Sequence, residues 1–193
     1  MAPLERPLKA TGAPGAIVVR PAGVVIRPAG IADAEAIARV RIASWRAAYR
    51  GIVPDAVLDG FEPGGEAVLW RERLATPGRV WMRVGFAGDP PALAGYVTAG
   101  PGRHADEGGL GEVWAVYVDP ASQGRGVGRA LMEAAVRGLM ARGFREAVLW
   151  VFEANAPARG FYEHLGWAPD GAAKAFEIGG AAPIEIRYRR RLG

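Results

Sequence analysis

This sequence predicts a mixed α/β fold: a central twisted mixed β-sheet of about six to seven strands flanked by about four helices. Two observations carry that expectation. The second half of the chain alternates strand, helix, strand, helix, while the first half holds a hairpin, so parallel and antiparallel pairs must share one helix-covered sheet. Half of the 193 residues are hydrophobic and 23% are charged, enough for a sizeable core and too apolar for global disorder. There is no internal repeat and no linker dividing two cores. Residues 21–193 are therefore expected to form one domain behind a flexible tail at 1–20, whose start is rich in Pro and Gly.

The elements follow in order. Val24 to Arg27 is a short strand stopped by Pro28. Asp33 to Arg50 has helical spacing, with Ile37, Val40, Ser44, Trp45 and Ala48 on one face, acidic residues in the first turn and Gly51 at its end. A helical turn is expected at 54–58 and a helix at 65–74, ended by Pro77-Gly78. Strands at 79–86 and 92–99 flank Gly88-Asp89-Pro90-Pro91 as a hairpin. After a loose loop at 100–109 come a strand at 110–118 and a helix from about Gly126 to Arg142. A continuous apolar strand at 147–152 and a helix at 156–165 follow. Segments 175–178 and 184–188 are expected to close the chain as a final hairpin.

Composition removes several function classes. With no cysteine, disulfides, thiolate metal sites and a cysteine nucleophile are excluded, and no metal site is expected. No apolar run is long enough to span a bilayer and no signal-peptide pattern opens the chain, so a cytoplasmic protein without a membrane partner is expected. Net charge is +4, but 22 of 24 basic residues are Arg and most are scattered, a pattern of a GC-rich genome rather than a nucleic-acid surface. A positive field that draws in an anionic ligand is the better use of that charge.

One stretch carries chemistry. Val116-Tyr117-Val118 leads into Asp119-Pro120, which ends the strand, and then into Gln123-Gly124-Arg125-Gly126-Val127-Gly128-Arg129. Three alternating glycines followed by a helix start put free N–H groups and the positive end of the helix dipole together, with Arg125 and Arg129 beside them. That combination is an anion site suited to phosphate or pyrophosphate. The spacing fits neither a lysine-bearing phosphate loop nor the dinucleotide fingerprint.

Gln123-Gly124-Arg125-Gly126-Val127-Gly128 resembles the Gln/Arg-x-x-Gly-x-Gly/Ala signature of the GNAT superfamily of N-acetyltransferases. Asn155 to Trp167 resembles that family's Asn-x-x-Ala-x-x-x-Tyr-x-x-x-Gly-Phe segment, with Trp167 for the usual Phe and Pro157 before Ala158. The resemblance is dense over 110–168 and weaker over 24–99. It implies the acyl-CoA N-acyltransferase fold, a single N-acetyltransferase domain and acetyl-CoA as co-substrate. It assigns the pyrophosphate to Gln123, Gly124, Arg125, Gly126, Val127, Gly128 and Arg129. The backbone of the Val116-Tyr117-Val118 strand would pair with the pantetheine arm as an added strand. Asn155 and Ala158 would hold its other side, although Asn155 reads equally well as a helix N-cap.

The activity implied is direct acetyl transfer from the thioester to a primary amine of a small molecule or peptide. A neutral amine is required, and neutralising one at pH 7 costs roughly 4–5 kcal/mol. Glu112 sits where histone-modifying members of the family carry a glutamate and is the candidate base; strand alternation places it with Trp114, Val116 and Val118. Its other reading is a strand-end carboxylate paired with an arginine. Tyr162 is the candidate acid for the departing thiolate, and Trp45, Tyr49 and Trp114 are the candidate acceptor-binding residues. His104 and His164 read as structural. The segment Ser44 to Pro54 looks like a bacterial branch of unassigned substrate. A monomer or homodimer is expected, and a non-catalytic acyl-CoA-binding sensor or interaction module is the alternative function.

Overall fold

The computed structural model describes residues 18–19, 23–76, 78 and 81–193. Most of the expected tail therefore lies outside the described residues. Val18–Val19, however, form a two-residue strand, β1, paired antiparallel with β2 (Val25–Pro28). Helices α1 (Ala34–Ala48), α2 (Asp55–Asp59) and α3 (Pro63–Ala75) follow, and then the hairpin β3 (Trp81–Ala87) and β4 (Ala92–Pro101). The second half runs β5 (Gly111–Val118), α4 (Val127–Met140), β6 (Glu146–Phe152), α5 (Ala156–His164), β7 (Ala168–Ala175) and β8 (Ile184–Arg191).

The described strands make one sheet in the order β1-β2-β3-β4-β5-β6-β8-β7. Every neighbour pair is antiparallel except β5 with β6, which the α4 crossover makes parallel. The expected closing hairpin is real but displaced. Its first strand is β7, and 176–183 is the connection, holding only an Ile178–Ala181 bridge. Ala168–Ala175 has little strand propensity of its own; pairing with β8 at the sheet edge makes it a strand.

Each face of the sheet carries its own apolar layer. α4 places Val127, Leu131, Ala135 and Leu139 against Ile26, Val97, Val113 and Leu149. The spacing of those helix residues is the amphipathic period, and full burial of a residue such as Leu131 contributes about 1.5–3 kcal/mol. On the other face α1 and α3 pack Ile37, Val40 and Trp70 on Met82, Val84 and Tyr96. A third cluster, Trp45, Val53, Leu58 and Phe152, closes the same face toward β6.

One irregularity resets the middle of the sheet. Ala99 pairs with Val113 but Thr98 pairs with Ala115, which leaves Trp114 as an extra residue in β5. Such a bulge bends and twists the strand. It also breaks the alternation that would have put Glu112 on the side of Val116 and Val118. Val113, Val116 and Val118 share the α4 layer, whereas Tyr117 lies in the layers under α1. Glu112 is one residue out of step with Val113 and points to the Tyr117 side.

Candidate active site

The site begins where two strands part. β5 and β6 are paired only from Gly111–Ala147 to Val113–Leu149. Beyond the bulge, Trp114–Val118 keeps β4 on one side and opens a gap on the other. Asp119 N–H donates to Ala94 O at 2.8 Å, so alternation turns the peptide groups of Val116 and Val118 away from β4 and into that gap. Part of this edge is already used: the Ser44 hydroxyl donates to Val118 O at 2.9 Å and ties α1 to the strand.

A groove of about 410 Å³ runs from the gap to the start of α4. β5 lines it with Val116 and Val118, the turn before α4 adds Gln123, Gly124 and Gly126, and the first turn of α4 adds Val127, Gly128 and Arg129. The turn is built by chemistry written locally. Asp119 accepts from Ala121 N–H at 2.9 Å to start a 3₁₀ turn, and Gly124 and Gly126 then take φ of +76° and +79°, a region costly for other residues. The first intrahelical bond of α4 is Ala130 N–H to Gly126 O, so the amides of Val127, Gly128 and Arg129 precede the helix's own ladder. Open space beside Gly124 and Gly126, amides at the positive end of α4 and the Arg129 charge fit a pyrophosphate.

Two residues expected in this group do not line the groove. Arg125 is exposed beyond it, and the Tyr117 ring is turned to the opposite face, among Trp45 and Tyr96, because the bulge and alternation send it there. Across the groove stands α5. Asn155 Oδ1 accepts from Ala158 N–H at 3.2 Å, so Asn155 is a buried N-cap and a groove wall at once. Tyr162, one turn past Ala158, is half-buried between the rings of Phe161 and Tyr188. Burial, with the nearby Tyr117, pushes its hydroxyl above the ordinary tyrosine value and keeps it protonated.

The opposite face of the gap is polar and aromatic. Glu112 is fully buried, and Arg103 covers it: the guanidinium donates to both carboxylate oxygens, at 2.6 Å from Nη2 to Oε1, and Arg103 N–H adds a bond of 3.0 Å. Its carboxylate is thus bonded on both oxygens, which matches the arginine-paired reading of this residue. Trp114, the bulge residue, donates from Nε1 to Pro101 O and lies under Arg103. Trp45 is a core residue, packed edge-on to Tyr49 and Phe61. Tyr49 is half-buried at the rim against Phe152. His104 is not isolated, since its Nε2 lies 2.6 Å from Lys174 Nζ and its ring meets Trp150; His164 contacts Gly160 O.

Residues 43–167 match the model of the acetyltransferase (GNAT) family. The chain belongs to the GNAT family. It is 32% identical over 80% of its length to the uncharacterized N-acetyltransferase YuaI of Bacillus subtilis (strain 168), covering 85% of that protein. A mycothiol acetyltransferase of Acidothermus cellulolyticus is 38% identical over 63% of the chain, which spans 35% of that longer relative. In fold the chain is similar to the PaiA N-acetyltransferase of Thermoplasma acidophilum, solved in complex with coenzyme A. The TM-score is 0.65 at 19% identity, covering 87% of this chain and 98% of that one. As a GNAT protein it is an acyltransferase, and the mixed sheet with helices on both faces is the GNAT arrangement. Among the described residues no helix is long and apolar enough to cross a membrane.

Sequence reasoning missed the rest of the GNAT groove, formed by Ala48, Ser122, Pro157 and Phe161. Pro157 and Phe161 lie inside the recognised Asn155–Trp167 segment and Ser122 directly precedes Gln123, so these were within reach; Ala48 comes from α1, which Ser44 ties to β5. The set Arg103, Trp150, Lys174 and Glu185 around Glu112 had no local signal, because it is gathered from four separate segments.

Proposed function

We propose that the protein transfers the acetyl group of acetyl-CoA directly to a primary amine of a small molecule or peptide. The observation that carries this reading is the continuity of the groove. Amides at the start of α4 suit the pyrophosphate, the turned-out peptides of Val116 and Val118 suit the amide-bearing arm, and Asn155 closes the far wall. The reacting end then falls in the gap between β5 and β6, close to Tyr162.

In the step itself the neutral amine nitrogen bonds to the thioester carbonyl carbon, the C–S bond breaks, and nitrogen gives up a proton while sulfur gains one. Tyr162, held protonated by burial, is suited to supply the proton to sulfur. Fixing both reactants in one furrow supplies several kcal/mol toward the barrier, and about 10²–10⁴ in rate is available from proton transfer. Calorimetric titration with acetyl-CoA, followed by an amine screen read by mass shift and thiol release, tests the proposal. Binding with acetylated amine product supports it; no binding at high micromolar acetyl-CoA ends it, and binding without product leaves the non-catalytic sensor.

A further inference from the structure

Arg103 engages both oxygens of Glu112, the base expected from sequence, while another carboxylate faces the same side of the gap. Glu185, near the start of β8, pairs across the sheet with Phe152 on β6 and with Lys174 on β7. Cross-strand partners share a face, so Glu185 lies on the face of Phe152, whose ring touches Tyr49. Its side chain is only 16% exposed, and its ion pair among the described residues is a loose one, with Lys174 Nζ at 3.6 Å. Glu112, by contrast, is held on both carboxylate oxygens by Arg103.

Its surroundings place it at the reacting end. The Tyr49 hydroxyl is held well above its ordinary value by burial first, and then by Tyr117, Tyr162 and Glu185. Tyr49 thus has both the candidate acid and Glu185 within electrostatic reach. The ionisable groups around Glu185 are Lys174 from β7, Arg103 from the β4–β5 connection, Glu112 and Tyr117 from β5, and Tyr49 just past the end of α1. Burial raises Glu185 above the ordinary carboxylate value, Lys174 and Arg103 oppose the rise, and Glu112 adds to it.

We infer that Glu185 is the acceptor-side carboxylate of this enzyme: it receives the substrate's ammonium group on the face it shares with Phe152 and Tyr49 and takes the first of the two protons that the nitrogen must lose. The inference rests on the amine-acetylating reading above. One proton passes from the ammonium nitrogen to the Glu185 carboxylate and the freed lone pair bonds to the acetyl carbon; the sulfur leaves with the C–S electron pair and takes a proton from Tyr162, and the nitrogen's second proton restores the Tyr162 hydroxyl. Glu112 has a different task, holding Arg103 in place.

The test compares wild type, Glu185→Gln and Glu185→Asp with the amine that gives the fastest thiol release in a panel of ethanolamine, spermidine, amino-acid amides and an alanyl peptide. Wild-type kcat/KM for the amine should fall on acidification through a midpoint above the ordinary glutamate value of about 4.3, because the base must be unprotonated. Glu185→Gln should lose about 10²-fold or more at pH 7, with a deficit that shrinks as pH nears the amine's own pKa of about 10.4. It should bind acetyl-CoA with unchanged affinity, because the groove is on the other face. Glu185→Asp should recover part of the rate at an unchanged thermal midpoint relative to Glu185→Gln. A Glu185→Gln enzyme with the wild-type pH profile, or one that loses acetyl-CoA affinity in step with rate, overturns the inference while leaving the amine reading intact. If wild type binds acetyl-CoA but acetylates no amine in the panel or the wider screen, both readings fall.

Discussion

Arg103 binds Glu112 through both carboxylate oxygens and through its own backbone N–H, with the carboxylate fully buried and the guanidinium half-exposed. The bond joins β5 to the β4–β5 connection, in which Glu107 also accepts from Arg103 N–H and from Trp150 Nε1. A pair with one solvated partner tolerates charge loss better than a sealed one, but the buried side still loses charge-assisted bonds.

Glu112→Gln should therefore lower unfolding free energy by about 1–3 kcal/mol in urea titration. Any loss of acetyl transfer should be the same at pH 7 and pH 9. A deficit concentrated at pH 7 would restore Glu112 as the proton acceptor.

Gly126 initiates α4 at φ +79° with nothing near the place of a Cβ. Gly126→Ala has room for its methyl but must hold the left-handed conformation at a cost of about 1–2 kcal/mol, or relax and turn the amides aside. We expect acetyl-CoA affinity to drop about tenfold or more by calorimetry, with the far-ultraviolet circular dichroism unchanged.

Tyr162→Phe removes the hydroxyl and keeps the ring between Phe161 and Tyr188. Turnover should fall about 10²-fold while acetyl-CoA affinity stays at the wild-type value. Equal turnover in stopped-flow thiol release would assign Tyr162 to packing alone.

Asp33 holds the entry to α1. Arg27 donates to both of its oxygens, at 2.6 and 2.7 Å, and Gly30 N–H adds a third bond at 2.8 Å. Burial pushes the carboxyl up, but the Arg27 and Gly30 bonds outweigh it and hold the pKa below the ordinary 3.8. The unfolded chain then binds the proton first. The contribution is complete above about 3.8 and is lost as pH falls toward the lower folded value. Asp33→Asn should cost about 1–3 kcal/mol at neutral pH and flatten the acid limb of stability measured by urea unfolding between pH 2 and 5.

Much of this was legible from residue order. The glycine turn, the strand before it and the Asn155 cap are local: a few adjacent residues determine the backbone angles, and those angles determine where the amides point. Apolar period determined α1 and α4 for the same reason, and the GNAT resemblance sits in the local stretch 110–168. β7 escaped because Ala, Pro and Gly carry no strand signal, and pairing with β8 supplied what propensity lacked. The use of Val118 O by Ser44 and the charged set around Glu185 join segments far apart in the chain.

By itself, then, the sequence determined the anion-binding turn, the helices around it and the kind of fold that presents them. Only the tertiary structure decided which partner each buried carboxylate meets, Arg103 for Glu112 and Lys174 for Glu185. The reason is the bulge at Trp114: one extra residue in β5 turns Glu112 away from Val116 and Val118, into the reach of Arg103. Side-chain direction along a strand depends on its register with a neighbour, and that register is set by pairing across the sheet rather than by the strand's own residues.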